Sequence, residues 1–217
     1  AYGPTNPKTY AGGGGGARGA GHGGGPNGSG GAGGGGNADN AGLFATGGGG
    51  GGMSDNQDLN LNGGSGIGVI RYKIGTVIAN AKATGGAISF YTLPGPGVQK
   101  TIHTFVGSGV FAATDDITGA EVVLIAGGGA GGSQIGGGGG AGGYVPLTGQ
   151  SYSNGNTYPV IVGAGGAGRY AAQWPSNPPQ GDSGYDTVFN SVTASGGGGG
   201  GTYAGSGPHP HRFFFFF

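Results

Sequence analysis

Runs of consecutive glycine constrain this chain more than any other sequence feature. They include Gly12–Gly16, Gly47–Gly52, Gly136–Gly140 and Gly196–Gly201, and glycine makes up 65 of the 217 residues. Ordering a glycine costs roughly 0.5–1 kcal/mol more than ordering an alanine. Folded runs therefore need dense backbone hydrogen bonding, or assembly into something larger, to offset that entropy. The glycines do not recur at every third position, which excludes a collagen triple helix.

The glycine runs permit two physical interpretations. Flexible linkers are the simpler one, because glycine enrichment alone produces flexible chain. The other is a bundle of polyglycine-II helices, which have three residues per turn, a rise of about 3.1 Å and no internal hydrogen bonds. Their N–H and C=O groups point outward and bond to neighbouring helices where no side chain intervenes. Residues 136–143 would extend about 25 Å in this form, and we expect the interrupting alanines at the rim of the bundle.

Composition and charge exclude several classes of function. Acidic and basic residues balance at eight each, so no charge excess favours nucleic acid or an anionic membrane. The absence of cysteine removes disulfides, thiol catalysis and thiolate metal sites. No apolar segment approaches the roughly 20 residues that span a bilayer. The sequence begins without Met or a signal-peptide pattern, so we expect a fragment or a processed product.

Short β-branched and aromatic segments bounded by glycine predict an all-β and irregular fold. Essentially no α-helix is expected, because glutamate is nearly absent and no segment shows a 3.6-residue apolar period. The predicted strands would form small antiparallel sandwiches combined with polyglycine-II bundles. They are Ile67–Lys73, Thr76–Ala79, Ala87–Tyr91, Thr101–Phe105, Val110–Ala113, Glu121–Ala126, Tyr158–Val162 and Thr187–Thr193.

Two segments satisfy the G-x-G-x-x-G fingerprint of dinucleotide-binding proteins: VVLIAGGGAGG at Val122–Gly132 and VIVGAGGAG at Val160–Gly168. That fingerprint requires a helix after the glycine turn, whose N-terminus holds the pyrophosphate. The first segment is followed by SQIGGGGGAGG and the second by RYAAQWPSNPPQG, with three prolines. Neither continuation favours a helix. We therefore predict no nucleotide cofactor.

Groups able to perform catalysis or bind metal do not assemble in the sequence. His209 and His211 have a spacing that could clip a transition metal, but two ligands do not make a site. Asp115 and Asp116, with Glu121, could form a carboxylate cluster for hydrolysis or calcium. The sequence TDDITG is more typical of a turn between strands, since aspartate favours turns. We predict no enzymatic activity, no metal and no cofactor.

A surface recognition loop is predicted at residues 170–180, YAAQWPSNPPQ. It places Tyr170, Trp174 and Asn177 among prolines and amides. Proline stiffness leaves little entropy to lose on binding, which suits a recognition loop. The alternative is that Trp174 fills a small satellite core. Tyr152, in the turn sequence SYSNGNTY, is a further candidate for receptor contact.

The order of the strand and glycine blocks resembles the glycine-rich modules of bacteriophage tail-fibre and adhesin proteins. Such modules open on an HTF strand pair, here KTIHTFVGSGVFAA at Lys100–Ala113, and continue with EVVLIAGGGAGG at Glu121–Gly132. Next come GGGGGAGGYVPLTGQSYSNGNTYPVIVGAGGAG at Gly136–Gly168 and GDSGYDTVFNSVTASGGGGGG at Gly181–Gly201. The closing GGSGIVIIRY motif of the family resembles GGSGIGVIRYKI at Gly63–Ile74, which here lies upstream of the opening block.

This order implies tandem modules: residues 1–74 as the last part of one, 75–99 as a connector and 100–217 as most of a second. The resemblance implies a non-enzymatic structural and adhesive role in a virion tail fibre or similar extracellular fibre. The partners implied are other fibre subunits and a host surface receptor, either a glycan or an outer-membrane protein. The terminal HPHRFFFFF, His209–Phe217, has no counterpart in the family.

A second hypothesis is a cellular surface filament or matrix protein. Its subunits would join through exposed strand edges such as IGVIRYKIGTVIA at Ile67–Ala79.

Overall fold

The computed structural model describes residues 9–19, 26–54, 61–75, 80–93, 99–169 and 179–202. It confirms the all-β prediction, because these residues form strands and irregular segments and no α-helix. The strands are β1 (Ile67–Gly75), β2 (Ala83–Thr84), β3 (Ala87–Thr92), β4 (Gln99–Phe105), β5 (Gly109–Ala113), β6 (Ile117–Ile125), β7 (Tyr144–Tyr152), β8 (Thr157–Ile161), β9 (Thr187–Phe189) and β10 (Val192–Ala194).

The strands form two five-stranded antiparallel sheets that pack face to face. Their orders are β3-β4-β1-β6-β7 and β10-β9-β8-β5-β2. In the centre of the first sheet, Ile70 of β1 pairs with His103 of β4 on one side and Val122 of β6 on the other. The expectation of a free strand edge at Ile67–Ala79 is therefore wrong for β1, which is paired on both sides. Residues 76–79 lie outside the described residues.

The core between the sheets is built around the ring of Phe111 on β5. The rings of Tyr72, His103, Tyr152 and Phe189 surround it, with centroids 5.1 to 6.3 Å from its own. Edge-to-face pairs of this kind are favourable beyond the area that they bury. Both sheets contribute to this cluster, so it fixes how the two sheets face each other.

His103 is a neutral histidine inside this core. Its Nδ1 lies 2.7 Å from the carbonyl oxygen of Gly85, which can only accept, so Nδ1 carries the proton. Nε2 therefore accepts from the Tyr72 hydroxyl at 2.9 Å. Burial lowers the pKa of His103 and raises the pKa of Tyr72 to about 12. The pair holds β1 and β4 to the turn before β3.

Three strand predictions need correction, and the simplest is that the two-residue strand β2 was not expected. β7 was not expected, because Pro146 and Gly149 interrupt its sequence, but β7 is an edge strand where proline is tolerated. The single strand expected at residues 187–193 is a hairpin. Asn190 and Ser191 form its turn with φ of 46° and 66°, the left-handed conformation of a two-residue hairpin loop.

The sheets continue into a bundle of glycine-rich segments, which we call the glycine bundle. Each sheet strand that leaves the sandwich on this side leads directly into one of its segments. The segments run alongside one another and are joined by backbone hydrogen bonds of about the length seen between strands. They comprise residues 11–17, 28–31, 35–37, 47–53, 61–66, 126–132, 136–143, 163–168, 181–186 and 195–201.

A three-residue repeat governs the hydrogen bonds of the central segment, residues 126–132. Each successive N–H turns to a new neighbour, and the same neighbour is met again three residues later. Gly127 and Ala130 donate to Tyr185 and Asp182, Gly128 and Gly131 to Gly64 and Leu61, and Gly129 and Gly132 to Gly140 and Gly137. This repeat is the threefold screw of polyglycine II.

Carbonyl groups of the central segment complete the lattice on its other sides. Gly129 accepts from Gly50, Gly128 accepts from Gly166, and Gly127 accepts from Gly197. The six segments that touch it also bond to one another in a closed ring. Their order is 136–143, 47–53, 61–66, 163–168, 181–186 and 195–201. The runs are therefore hydrogen-bonded polyglycine-II helices, and the linker interpretation is wrong for the runs that the structure describes.

Glycine is required at most positions inside this lattice, because the backbones there approach too closely for a side chain. A Cβ built on Gly131 would overlap the carbonyl of Gly51, and one on Gly129 would overlap the carbonyl of Gly198. Ala130 departs from our expectation that alanines occupy the rim, since it is fully buried in the central segment. Ala164 and Ala167 do lie exposed at the rim.

Residues before and after the connector fold together. β1 lies between β4 and β6, and the segments before residue 67 are part of the same lattice as those after residue 125. The division into tandem modules at 1–74, 75–99 and 100–217 stays a prediction, which rests on the order of the sequence blocks.

Candidate functional site

The glycine bundle has two different ends. At one end its segments join the strands, as at Gly66–Ile67, Ile125–Ala126, Gly143–Tyr144 and Ala194–Ser195. The opposite end, which we call the apex, gathers the connections between segments, because the directions of the hydrogen-bonded segments alternate. The described apical residues are 17–19, 26–28, 37–40, 53–54, 132–136, 168–169, 179–181 and 201–202.

The predicted recognition loop starts and ends at this apex. Its described ends are Arg169, directly after the segment 163–168, and Pro179 with Gln180, directly before the segment 181–186. Tyr170, Trp174 and Asn177 lie between these flanks, outside the described residues. The structure therefore gives the position of the loop's base.

Polar contacts hold the two flanks of this loop together. The Arg169 guanidinium forms a two-pronged ion pair with Asp182, with Nε and Nη2 at 2.7 and 2.9 Å from the carboxylate oxygens. This carboxylate raises the pKa of Arg169 above its usual value. The Ser133 hydroxyl donates to the Pro179 carbonyl at 2.8 Å, and the Gly168 N–H donates to the Asn62 side chain at 2.6 Å. The base of the loop is thus fixed to the segments 61–66 and 181–186 and to the turn at residues 133–135.

Neighbouring apical turns are also tied down by short side chains. Asp39 accepts from the backbone N–H and the hydroxyl of Ser54, at 2.7 and 2.6 Å. Asn27 accepts from the N–H of Arg18 at 3.1 Å. These contacts join turns that are distant in sequence into one surface.

One apical turn carries backbone strain. Gln134 and Ile135 have φ of 50° and 54°, and a β-branched residue in this left-handed region is a true outlier. Strain of this kind is retained where the surrounding structure enforces it, and it clusters at functional sites. It distinguishes this turn from the glycine segments on either side.

Tyr152 was wrongly placed among the surface candidates. It is 2% exposed at the end of β7, and its ring packs edge-on against Phe111 and Tyr158. Burial raises the pKa of its hydroxyl. The turn sequence that suggested exposure begins one residue later, so Tyr152 is a core residue and presents no surface to a receptor.

The acidic residues near the strands form a turn, as predicted. Asp115 pairs with Lys82 at 2.9 Å, and Asp116 accepts from the N–H of Asn154 at 2.9 Å. Glu121 lies apart and binds Arg71 and Lys100 on the outer face of the first sheet. Within the described residues, no group of three or more His, Cys, Asp or Glu side chains could hold a metal ion.

The first dinucleotide-like segment is the central segment of the bundle. Its N–H groups from Gly127 to Gly132 all donate to protein carbonyls, which leaves none free for a pyrophosphate. The residues that follow it, 133–143, form a turn and a polyglycine-II segment. The described part of the chain contains no helix that could cross a bilayer.

A shallow groove of about 510 Å³ is present on the outer face of the second sheet. It is lined by Asn156, Pro159, Ile161 and Asn190, among others. No charged side chain lines it, so it offers few groups for specific recognition and is a weaker candidate than the apex.

Comparison with known proteins agrees with the glycine architecture. No significant match was found among curated proteins or among solved structures. A family model described as a glycine-rich domain matches residues 101–211, which begin in β4 and include the central segment 126–132. This match covers more than half of the sequence, and the chain therefore belongs to the glycine-rich domain family.

Proposed function

We propose that this chain is a non-enzymatic structural and adhesive module of a phage tail fibre or a similar extracellular fibre. The observation that carries the proposal is the gathering of the connections at the apex of a rigid, hydrogen-bonded bundle. Binding residues are commonly found on loops that a rigid scaffold positions. The apex would contact a host surface receptor, a glycan or an outer-membrane protein.

The loop at residues 170–180 is the principal candidate for receptor contact. Its base is fixed by the Arg169–Asp182 ion pair and the Ser133 hydrogen bond. Because the flanks are already ordered, less entropy is lost when the loop binds. Trp174 is its largest apolar side chain, and aromatic residues supply much of the binding energy at recognition surfaces.

Binding of the labelled full chain to a glycan array and to a panel of bacterial cells tests this function. We expect binding to a restricted set, and we expect Trp174→Ala to abolish it. Asn154→Ala, in the turn between β7 and β8 on the sandwich, is the matched control and should bind as the parent does. Equal binding by both variants would remove the loop from the proposal. Absence of binding to every cell and glycan would count against an adhesive role.

The alternative of a surface filament assembled through strand edges has one supporting observation. β3 is the outermost strand of its sheet in the described residues, and Ile88 and Phe90 on it are 41% and 46% exposed. An exposed edge with apolar side chains is a template for strand addition. Filaments in electron micrographs of the purified chain, lost on Phe90→Lys, would favour this alternative over an adhesive tip.

A further inference from the structure

One side of the glycine bundle is a flat row of three segments. Residues 136–143 lie in the middle of this row: they donate to residues 195–201 and accept from residues 12–17. Two further segments, 47–53 and 126–132, contact residues 136–143 from the inner side of the row. Segment 47–53 bonds to residues 12–17, segment 126–132 bonds to residues 195–201, and these two inner segments bond to each other. A segment in a hexagonal lattice has six neighbouring positions. Around residues 136–143, four consecutive positions are filled, and the two on the outer side carry no described segment.

Unused backbone groups face these outer positions with the spacing of the lattice. Within the described residues, seven N–H groups of the row have no acceptor. They fall three residues apart on each segment: Gly13 and Gly16, Gly138 and Ala141, and Ser195, Gly198 and Gly201. The carbonyl groups of Gly138 and Ala141 likewise accept from no described donor. A further polyglycine-II helix would find both donors and acceptors in register.

Glycine at the surface of this row is not explained by packing within the chain. A Cβ at Gly198 or Gly201 would meet no described atom within 4 Å, and one at Gly13, Gly16 or Gly137 would meet none closer than 3.7 Å. Any residue compatible with the extended backbone would fit there, and glycine is the one that loses most entropy on folding. We call these five glycines the bare facet.

Other outward positions of the bundle carry side chains. On segment 163–168 they are Ala164 and Ala167, and on segment 181–186 they include Ser183 and Tyr185, all exposed. The lack of side chains is therefore confined to one side and is not a general property of the bundle's surface. A surface kept free of side chains is what a second backbone needs in order to approach to hydrogen-bonding distance.

We propose that the bare facet binds the same facet of a second copy of this chain. Inside the bundle, neighbouring segments approach so closely that a Cβ would overlap the facing backbone. A partner must therefore also be bare glycine, and this facet is such a surface with both donors and acceptors. Pairing of like facets continues the existing lattice across a twofold axis. The facet has no charged side chain, so a strongly charged partner gains nothing there.

The size of the facet sets the strength expected. Three rows about 5 Å apart and about 20 Å long cover roughly 300 Å² per copy, taking the spacing of hydrogen-bonded strands. Stable pairs usually bury about 800 Å² per partner. We expect weak, concentration-dependent association of the isolated chain, which becomes strong only where several copies are held side by side.

Sedimentation velocity of the full chain from micromolar to millimolar concentration tests this pairing. We expect a monomer at the low end and a dimer at the high end. Gly198→Lys with Gly201→Lys should abolish the dimer, because the new side chains fit the monomer but separate the two facets. Ala164→Lys with Ala167→Lys places the same charges on another side and should associate as the parent does.

Three outcomes would overturn the proposal. One is a parent chain that stays monomeric at all concentrations. The second is a facet variant that associates like the parent while its circular dichroism shows an unchanged fold. The third is slow hydrogen exchange at the Gly198 and Gly201 amides in the monomer, which would assign the facet to another segment of the same chain. Slow exchange that appears only with the dimer supports the pairing.

Discussion

The same substitution, glycine to alanine, should have opposite effects at two positions of the bundle. At Gly131, in the central segment, the new methyl would overlap the carbonyl of Gly51 and lie 2.8 Å from the amide nitrogen of Gly52. At Gly198, on the outer side, it would meet no described atom within 4 Å. Neither glycine has a positive φ, so backbone conformation does not distinguish the two positions.

The magnitude at Gly131 follows from what must move. To admit the methyl, segment 47–53 has to shift, which stretches the bonds from Gly50 to Gly129 and from Met53 to Gly132. Two lost bonds cost about 1–3 kcal/mol, and overpacking adds about 1–3 kcal/mol. Alanine returns about 0.4–1 kcal/mol by restricting the unfolded chain. The free energy of unfolding should fall by about 3 kcal/mol, or about 6–12 °C in Tm.

At Gly198 the new methyl group displaces nothing in the folded protein, so alanine acts only by restricting the conformations of the unfolded chain. Gly198→Ala should therefore raise the free energy of unfolding by about 0.4–1 kcal/mol. Urea denaturation of dilute protein, followed by circular dichroism, measures both variants under conditions where association is negligible. A Gly131→Ala variant within about 0.5 kcal/mol of the parent, or effects of the same sign at both positions, would refute the close-packed lattice.

Three further predictions concern the bundle, the core histidine and the central aromatic ring. In the monomer, amide hydrogen exchange along residues 136–143 should be slow except at Gly138 and Ala141; uniformly fast exchange would contradict the lattice. Burial lowers the pKa of His103 in the folded protein. The contribution of the neutral His103 to the free energy of unfolding should therefore be complete above pH about 6.5 and should be lost as the pH falls toward the folded pKa. The free energy of unfolding should change there by at most about 1.4 kcal/mol per pH unit. His103→Gln should flatten that part of a stability-against-pH curve measured by urea denaturation; an unchanged slope would assign it to other groups. Phe111→Ala should cost about 3–5 kcal/mol in the same assay, and a loss below about 1 kcal/mol would show that the ring is not the centre of the core.

Local sequence was sufficient where one residue type dictates the conformation. Glycine runs such as Gly196–Gly201 predicted the polyglycine-II helices, because few other structures satisfy so many backbone groups without side chains. Short β-branched and aromatic segments bounded by glycine predicted β4, and they predicted β6 from Glu121 onward. The turn at Asp115 and Asp116 followed from the turn preference of aspartate.

Features that depend on long-range pairing could not be predicted from local sequence. The position of β1 between β4 and β6 joins residues that are 24 to 58 positions apart in the sequence. Tyr152 was misjudged because its turn-like neighbours conceal a core position, which only the aromatic cluster around Phe111 defines. The apex and the bare facet depend on the direction of each segment, and a glycine run has the same sequence pattern in either direction.

The threefold repeat of the central segment has a consequence for how this chain reaches its native state. If a glycine run slides by one turn against its neighbours, the turn that stays inside the bundle meets equivalent partners and only the overhanging turn loses its hydrogen bonds, so the lattice opposes misalignment only in part. The junctions between runs and strands, at Gly66–Ile67 or Gly143–Tyr144, oppose it more strongly, because a slipped strand would pull core side chains out of place. The packing of the strands in the sandwich therefore fixes the register of the glycine segments in the bundle.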